Sequence, residues 1–226
     1  MKRIKIASLI SSLGIMLMVL FMSTACINNQ SSKPGTGENR EIKDNADTNH
    51  NLQKATFALG CFWHSEEMFS ELKGVKEALP GYAGGKTKNP TYDEVSSGTT
   101  GYAESVDITF DPKIISYQKL VEVFFTEHDP TTPNYAAPDE GPQYRSVLFY
   151  RSENQKNTAE QYIKYLVSLK KYNNPIITQV VPFSGFYKAE DYHIHYYRNH
   201  PDQGYIASVT RPEIEKFRKD FKDLLK

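Results

Sequence analysis

The chain has 226 residues, 39% of them hydrophobic, 24% charged and 12% aromatic, and its 27 Lys and Arg balance 27 Asp and Glu. A formal charge of zero argues against a polyanion binder, which needs a basic stripe to neutralise phosphates, and the aromatic content excludes an acidic disordered chain. Two cysteines are too few for a disulfide-stapled scaffold.

Lys2, Arg3 and Lys5 precede an uncharged stretch over residues 6–22, which exits through Ser23-Thr24-Ala25-Cys26. A basic start, an apolar stretch and a small-residue exit predict a secretory signal over residues 1–26. The stretch falls short of the roughly 20 residues a membrane span needs. Cys26 stands where a bacterial lipoprotein carries its lipidated cysteine, although Ser23 replaces the usual Leu and Ser23-x-Ala25 also fits ordinary cleavage. The expectation is an exported protein held by Cys26 on the outer face of the cell membrane, with plain secretion as the alternative. Residues 27–51 are almost wholly polar and cannot bury enough surface to offset their ordering entropy, which predicts a flexible tether. Residues 52–226 then form one domain.

Residues 55–59 are a short apolar run ending in Gly60, consistent with a buried strand. Residues 61–72 carry Phe62, Met68, Phe69 and Leu72 at helical offsets, with Glu66 and Glu67 placed early, as a helix N-terminus favours. Residues 75–82 read as extended, and Gly84-Gly85 and Asn89-Pro90 mark a loop. Alternation of Val106, Ile108 and Phe110 predicts a strand over 105–110, stopped by Asp111-Pro112. A helix follows over 117–128, then a long Pro-rich loop from Asp129, a strand over 146–150, and a helix over 152–172 capped by Ser152. A strand over 175–182, a segment over 189–198 and a last helix after Pro212 complete an α+β or α/β sandwich.

Cys61 is the only cysteine of the globular part. A strand, a Gly and a Cys opening a helix bring the sulfur against free backbone N–H groups, where the dipole favours the thiolate. Phe62 and Trp63, the only Trp, could wall a small apolar site beside it; a buried structural Cys with two core aromatics fits the spacing equally. Glu104 and the neighbouring tyrosines read on position alone as a solvated strand-edge carboxylate and half-buried packing. If Glu104 were buried among tyrosines, desolvation would raise its pKa toward that of a usable acid. No GxxxxGK[ST] or GxGxxG occurs, and His193 and His195 beside Asp191 lack the company of an HExxH or Cys-rich set, so no metal site is expected.

Gly60-Cys61-Phe62-Trp63 with Glu66, GYAGG (81–85), NPTY (89–92), SGTTGYAE (97–104), FDP (110–112), HDP (128–130), D-x-G-x-QYRS (139–146) and AEDYH (189–193) follow in order across the domain. Together they resemble the type A peptide methionine sulfoxide reductases. The resemblance implies an α+β two-layer sandwich with a ferredoxin-like (split βαβ) core and an open active-site basin. It implies reduction of the S epimer of methionine sulfoxide, free or in proteins, through a sulfenic acid. By matching motif, Cys61 is the nucleophile, Glu104 the proton donor, and Tyr82 and Tyr144 hydrogen-bond the sulfoxide oxygen. Asp139 belongs to the same polar network, and Phe62 with Trp63 holds the S-methyl group. No bound cofactor is implied, and oxidised proteins are the partners of a monomer that binds no nucleic acid.

The chain departs from the family pattern at His64, where Gly is common, and at Tyr102, where His is common. His64 reads as an exposed helix residue. Ile206 in Gly204-Tyr205-Ile206-Ala207 stands where a recycling cysteine is expected, so the Cys61 sulfenic acid requires an outside thiol, with a thioredoxin-like partner the natural candidate. An unmodified Cys26 on its tether is the alternative resolving thiol. Two other classes compete: a Cys-His hydrolase pairing Cys61 with His128, His193 or His195, and a lipoprotein module that binds peptides without turnover.

Overall fold

A computed structural model describes residues 52–226. Residues 1–51, with the signal, Cys26 and the tether, lie outside the described residues. Among the described residues no helix is long and apolar enough to cross a membrane.

The elements run β1 (Gln53–Ala58), α1 (Phe62–Ser70), β2 (Val75–Ala83), α2 (Tyr92–Ser96), β3 (Ala103–Phe110), α3 (Tyr117–Thr126), β4 (Tyr135–Ala136), β5 (Asp139–Glu140), β6 (Val147–Tyr150), α4 (Glu153–Ser168), β7 (Gln179–Pro182), β8 (Phe186–Lys188), α5 (Tyr196–Asn199) and α6 (Arg211–Asp220). This is a mixed α+β fold. Six strands form one sheet in the order β7-β6-β1-β3-β2-β8. All neighbours are antiparallel except β6 and β7.

Side chains alternate across a strand, so register decides which residues enter the core. On β3 the face of Val106, Ile108 and Phe110 joins Phe57 of β1, Met68 and Phe69 of α1, Phe124 of α3, Leu166 of α4 and Phe217 of α6 in one buried cluster. Glu104 lies in the same phase, two residues before Val106, and that periodicity carries its carboxyl inward. The opposite face is smaller: Ala58, Ala83, Ala103, Val147 and Phe149, flanked by Val181, Phe183 and Phe186. Asp107 points there and is held by Arg151 at 2.6 Å and Thr56 at 2.7 Å, while the Arg151 guanidinium lies 3.5 Å over Phe183.

Most predicted elements form within a few residues of their expected bounds. The helix expected to reach 172 ends at Ser168, because Lys170 turns left-handed and the N–H groups of Lys171 and Lys170 close back on the carbonyls of Leu166 and Val167. That is a Schellman closure. The strand expected from 175 pairs only from Gln179, where register with Val147 begins. The segment over 189–198 is broken by left-handed His195 into a 3-10 turn and α5. Three pieces were not anticipated: α2, the hairpin of β4 and β5, and edge strand β8.

Candidate active site

The bend from β1 into α1 creates the site. Gly60 has φ +102°, and a Cβ there would stand 2.7 Å from the Ala136 methyl of β4. Only glycine meets both demands. Cys61 takes the N-cap position of α1, and its carbonyl accepts from Ser65 N–H at 3.3 Å.

Backbone N–H groups of Trp63 and His64 reach the sulfur, as a helix start should provide. The net effect differs from the sequence expectation of a favoured thiolate. Burial pushes the Cys61 thiol well above its ordinary value, and the carboxylates of Glu104 and Asp139 add to that, outweighing the two N–H groups. At neutral pH the resting group is a thiol.

Glu104 is 2% exposed, so it is an interior acid and not the solvated edge carboxylate that its position alone suggested. Burial raises its pKa to about 8, Asp139 adds to the rise, and the Phe62 N–H opposes it. The carboxyl is therefore mostly protonated at pH 7, a donor ready for a basic oxygen.

Around these two lies a cleft of about 250 Å³ lined by Phe62, Trp63, Tyr92, Asp139, Tyr144, Gln203 and Tyr205 as well. The Tyr144 hydroxyl enters from the 3-10 turn over Pro142–Tyr144, and burial raises its pKa, keeping the phenol protonated. Burial, with Glu104 next, likewise raises Tyr92 to about 12. Asp139 accepts from the Tyr205 hydroxyl at 2.5 Å, and burial lifts its pKa too.

Phe62 and Trp63 form the apolar wall, ring centroids 6.4 Å apart. Trp63 stacks on Tyr196 at 3.9 Å and 8°, and its indole N–H donates to His193 Nδ1 at 3.0 Å. The chain over 195–198, which carries Tyr196 and follows His193, is tied to α1 from outside. His195 N–H donates to both Glu66 oxygens, and Arg198 Nε donates to Glu67 at 2.7 Å. Glu66 and Glu67 are thus buried anchors in the second turn, not first-turn partners of the helix dipole.

Of the residues singled out from sequence, Cys61, Phe62, Trp63, Glu104, Asp139 and Tyr144 come together in the cleft. Tyr82 does not. It pairs with Glu104 across β2 and β3, but it is fully buried and its hydroxyl donates to Glu190 Oε2 at 2.7 Å. Tyr92 of the NPTY motif stands in the cleft instead, its backbone N–H fixed by Glu190 Oε1 at 2.8 Å.

His64, expected on the surface, is buried at 6% exposure because α6 packs against α1. Tyr102 is buried with its hydroxyl donating to the Thr87 carbonyl. Ile206 is fully buried at the start of a π-helical turn over Ile206–Thr210. None of His128, His193 and His195 hydrogen-bonds to Cys61: His128 serves Phe124 O and Ser146 Oγ, His193 serves Trp63, and His195 serves Glu66. That removes the pairing a hydrolase needs. Among the described residues no group of three or more ligating side chains could hold a metal.

Residues 53–225 match the family model described as peptide methionine sulfoxide reductase. The chain is 46% identical over 174 residues to the peptide methionine sulfoxide reductase MsrA of Polynucleobacter asymbioticus, covering 77% of this chain and 92% of that one. It is 48% identical over 172 residues to the enzyme of the same name from Sulfolobus acidocaldarius, covering 76% and 97%. Among solved structures, reduced Mxr1 from Saccharomyces cerevisiae superposes with a TM-score of 0.65 at 35% identity, covering 70% of this chain and 90% of that one. Methionine sulfoxide reductase A of Corynebacterium diphtheriae gives 0.60 at 30% identity, covering 66% and 76%.

Proposed function

The chain belongs to the peptide methionine sulfoxide reductase family, and on that premise we propose how its cleft performs the reduction of the S epimer of methionine sulfoxide to methionine. The observation that carries the assignment of roles is a buried, protonated Glu104 sharing one small cleft with the Cys61 sulfur. A sulfoxide oxygen is a poor leaving group until protonated, and a carboxylic acid flanked by phenols meets that need.

Phe62 and Trp63 hold the S-methyl group, and the Tyr92 and Tyr144 hydroxyls with Glu104 address the oxygen. Glu104 passes its proton to the oxygen as the Cys61 sulfur, giving up its own proton, attacks the sulfoxide sulfur. The hydroxyl transfers to the Cys61 sulfur, the sulfur–sulfur bond breaks, and methionine leaves with a sulfenic acid on Cys61. The thiol proton restores Glu104. Asp139, bonded to Tyr205, fixes the polar side of the cleft. Cys61 is the only cysteine among the described residues, so regeneration falls to an outside thiol, a thioredoxin-like partner among them. A monomer suffices, since one chain supplies every named group.

The kernel of the sheet supports a ferredoxin-like (split βαβ) two-layer core: order β6-β1-β3-β2, all antiparallel, with α1 and α3 as the crossovers. For residues 1–51 the proposal is a signal over 1–26, lipidation of Cys26 and a tether over 27–51, giving an exported lipoprotein whose domain spans 52–226. Support lies in Lys2, Arg3 and Lys5, the apolar stretch and Cys26.

The test is turnover by the full chain with excess dithiothreitol on peptides bearing S- or R-methionine sulfoxide. Methionine from the S peptide alone is expected. Folded protein that turns over neither epimer overturns the assignment.

A further inference from the structure

A second cavity, about 230 Å³, also reaches Cys61. It shares Cys61, Asp139 and Tyr205 with the cleft but has neither Phe62, Trp63 nor Tyr92. Its other lining residues include His64, Glu127, His128, Asp129 and Glu213, none of which the reduction uses.

Two of these are interior groups, each with one polar atom left without a hydrogen bond. The Glu127 side chain is 2% exposed and the His64 side chain 8%. Glu127 Oε1 and His64 Nε2 have no hydrogen-bond partner among the described residues. Lys216 Nζ forms an ion pair with Glu127 Oε1 at 3.6 Å, beyond hydrogen-bond reach, and a closer one with Asp220 at 2.7 Å. Burial, then His128 and Lys216, lowers His64 to about 4, so the ring is neutral at pH 7. His64 Nδ1 lies 4.0 Å from Glu213 Oε2, and in the tautomer that carries its proton on Nδ1 the Nε2 is an acceptor. His128 offers nothing, both its nitrogens being engaged by Phe124 O and Ser146 Oγ.

The cavity therefore presents acceptors and carboxylates, with no Lys or Arg among its lining residues. Burial raises the pKa of Glu127, Asp139 and Glu213, the last to about 7, so an anion would add to an unfavourable crowding of acids; a hydroxyl could satisfy one acceptor; an ammonium brings a charge that favours their ionised forms and three donors. Cys61, whose sulfur must be regenerated, is one of the lining residues.

We propose that this cavity admits the regenerating thiol, and that it selects a small thiol bearing a primary ammonium, with the sulfur at Cys61 and the ammonium among Glu127, His64 and Glu213. The proposal rests on the reading that Cys61 passes through a sulfenic acid. In the step, the incoming thiol sulfur attacks the Cys61 sulfur, a sulfur–sulfur bond forms and the sulfur–oxygen bond breaks. The leaving hydroxide takes the thiol proton to give water; the incoming sulfur is oxidised and the Cys61 sulfur reduced. A second thiol molecule releases Cys61 as the thiol and leaves as the external disulfide.

The experiment uses the full chain carrying Cys26→Ser. Cys61 is converted to its sulfenic acid with one equivalent of hydrogen peroxide and verified by mass, so the measurement does not depend on sulfoxide turnover. Reduction by cysteamine, 2-mercaptoethanol and 3-mercaptopropionate is then timed at matched thiolate concentration near neutral pH. Cysteamine should lead 2-mercaptoethanol by about tenfold, the effect of one close charge pair, with mercaptopropionate slowest. Glu213→Gln, at a partly exposed position, and Glu127→Gln should each shrink that lead. Equal rates for the three thiols, or a lead that survives both variants, overturn the proposal. Sulfoxide turnover without the amine preference would sink this inference alone; the preference without turnover would sink the reductase roles alone.

Discussion

The backbone N–H of Phe62 donates to Glu104 Oε2 at 3.1 Å, so the residue that follows the nucleophile grips the acid that serves it. Chain geometry at the start of α1 thereby sets two reacting groups at once. A single N–H favours the ionised carboxylate, yet burial wins and the acid rests near pH 8. The rate constant kcat/KM should accordingly hold through neutral pH and fall as pH rises through about 8. Glu104→Gln should cost roughly 10²- to 10⁴-fold and abolish that limb. A limb unchanged in the variant would assign it to another group.

The same protons bear on stability. Burial raises Glu66 to about 7 and Glu104 to about 8, each from an ordinary value near 4.5. Between those values the folded chain binds more protons than the unfolded one, so the free energy of unfolding declines as pH rises. The contribution is complete below about 4.5 and is lost as pH climbs through 7 to 8. Thermal midpoints should drop between pH 6 and pH 9, and Glu66→Gln and Glu104→Gln should each flatten the slope. Midpoints that rise over that interval would contradict the placement of these acids.

Two tyrosines one motif apart should separate cleanly. Tyr92→Phe removes a cleft hydroxyl and should lower kcat about tenfold or more with little change in melting. Tyr82→Phe leaves Glu190 Oε2 without its 2.7 Å donor, an effect on the order of 1–3 kcal/mol in stability. Its kcat should fall less than that of Tyr92→Phe. The reverse ranking in the kinetics would return the sulfoxide contact to Tyr82.

This exchange shows where the sequence was legible. The order of strands and helices, the Cys61 turn and the alternation of β3 were readable, and Glu104 sits in phase with Val106, Ile108 and Phe110. Thr91 and Glu94 form a capping box at the start of α2, a local signal that the reading of Asn89-Pro90 as a loop passes over, and with it the position of Tyr92. What could not be read was α1 being covered on more than one side. His64, Glu66 and Glu67 are buried by α6 and by residues 195–198, more than a hundred residues away. Nor did local pattern show that burial and Glu104 would outweigh two N–H groups at the Cys61 sulfur, a balance set by tertiary packing.

Trp63 is the only tryptophan in the chain, so intrinsic indole emission reports on this cleft alone. Its ring lies flat on Tyr196, edge-on to Tyr205 at 5.9 Å, and its N–H is held by His193. A methyl group against the Phe62–Trp63 wall, or an added oxygen on the adjacent sulfur, changes the polarity that the indole senses. Binding of an S-sulfoxide peptide to a Cys61→Ser variant should shift or quench the emission saturably, and the R peptide should do so less. In the wild-type chain a second change should follow as the sulfenic acid forms, reversed by added thiol. Trp63→Phe keeps an apolar ring but leaves His193 without its donor; Nε2 already has no hydrogen-bond partner among the described residues. That variant should lose several-fold in kcat/KM, mostly through KM. Emission indifferent to both peptide and oxidation would place substrate away from the Phe62–Trp63 wall.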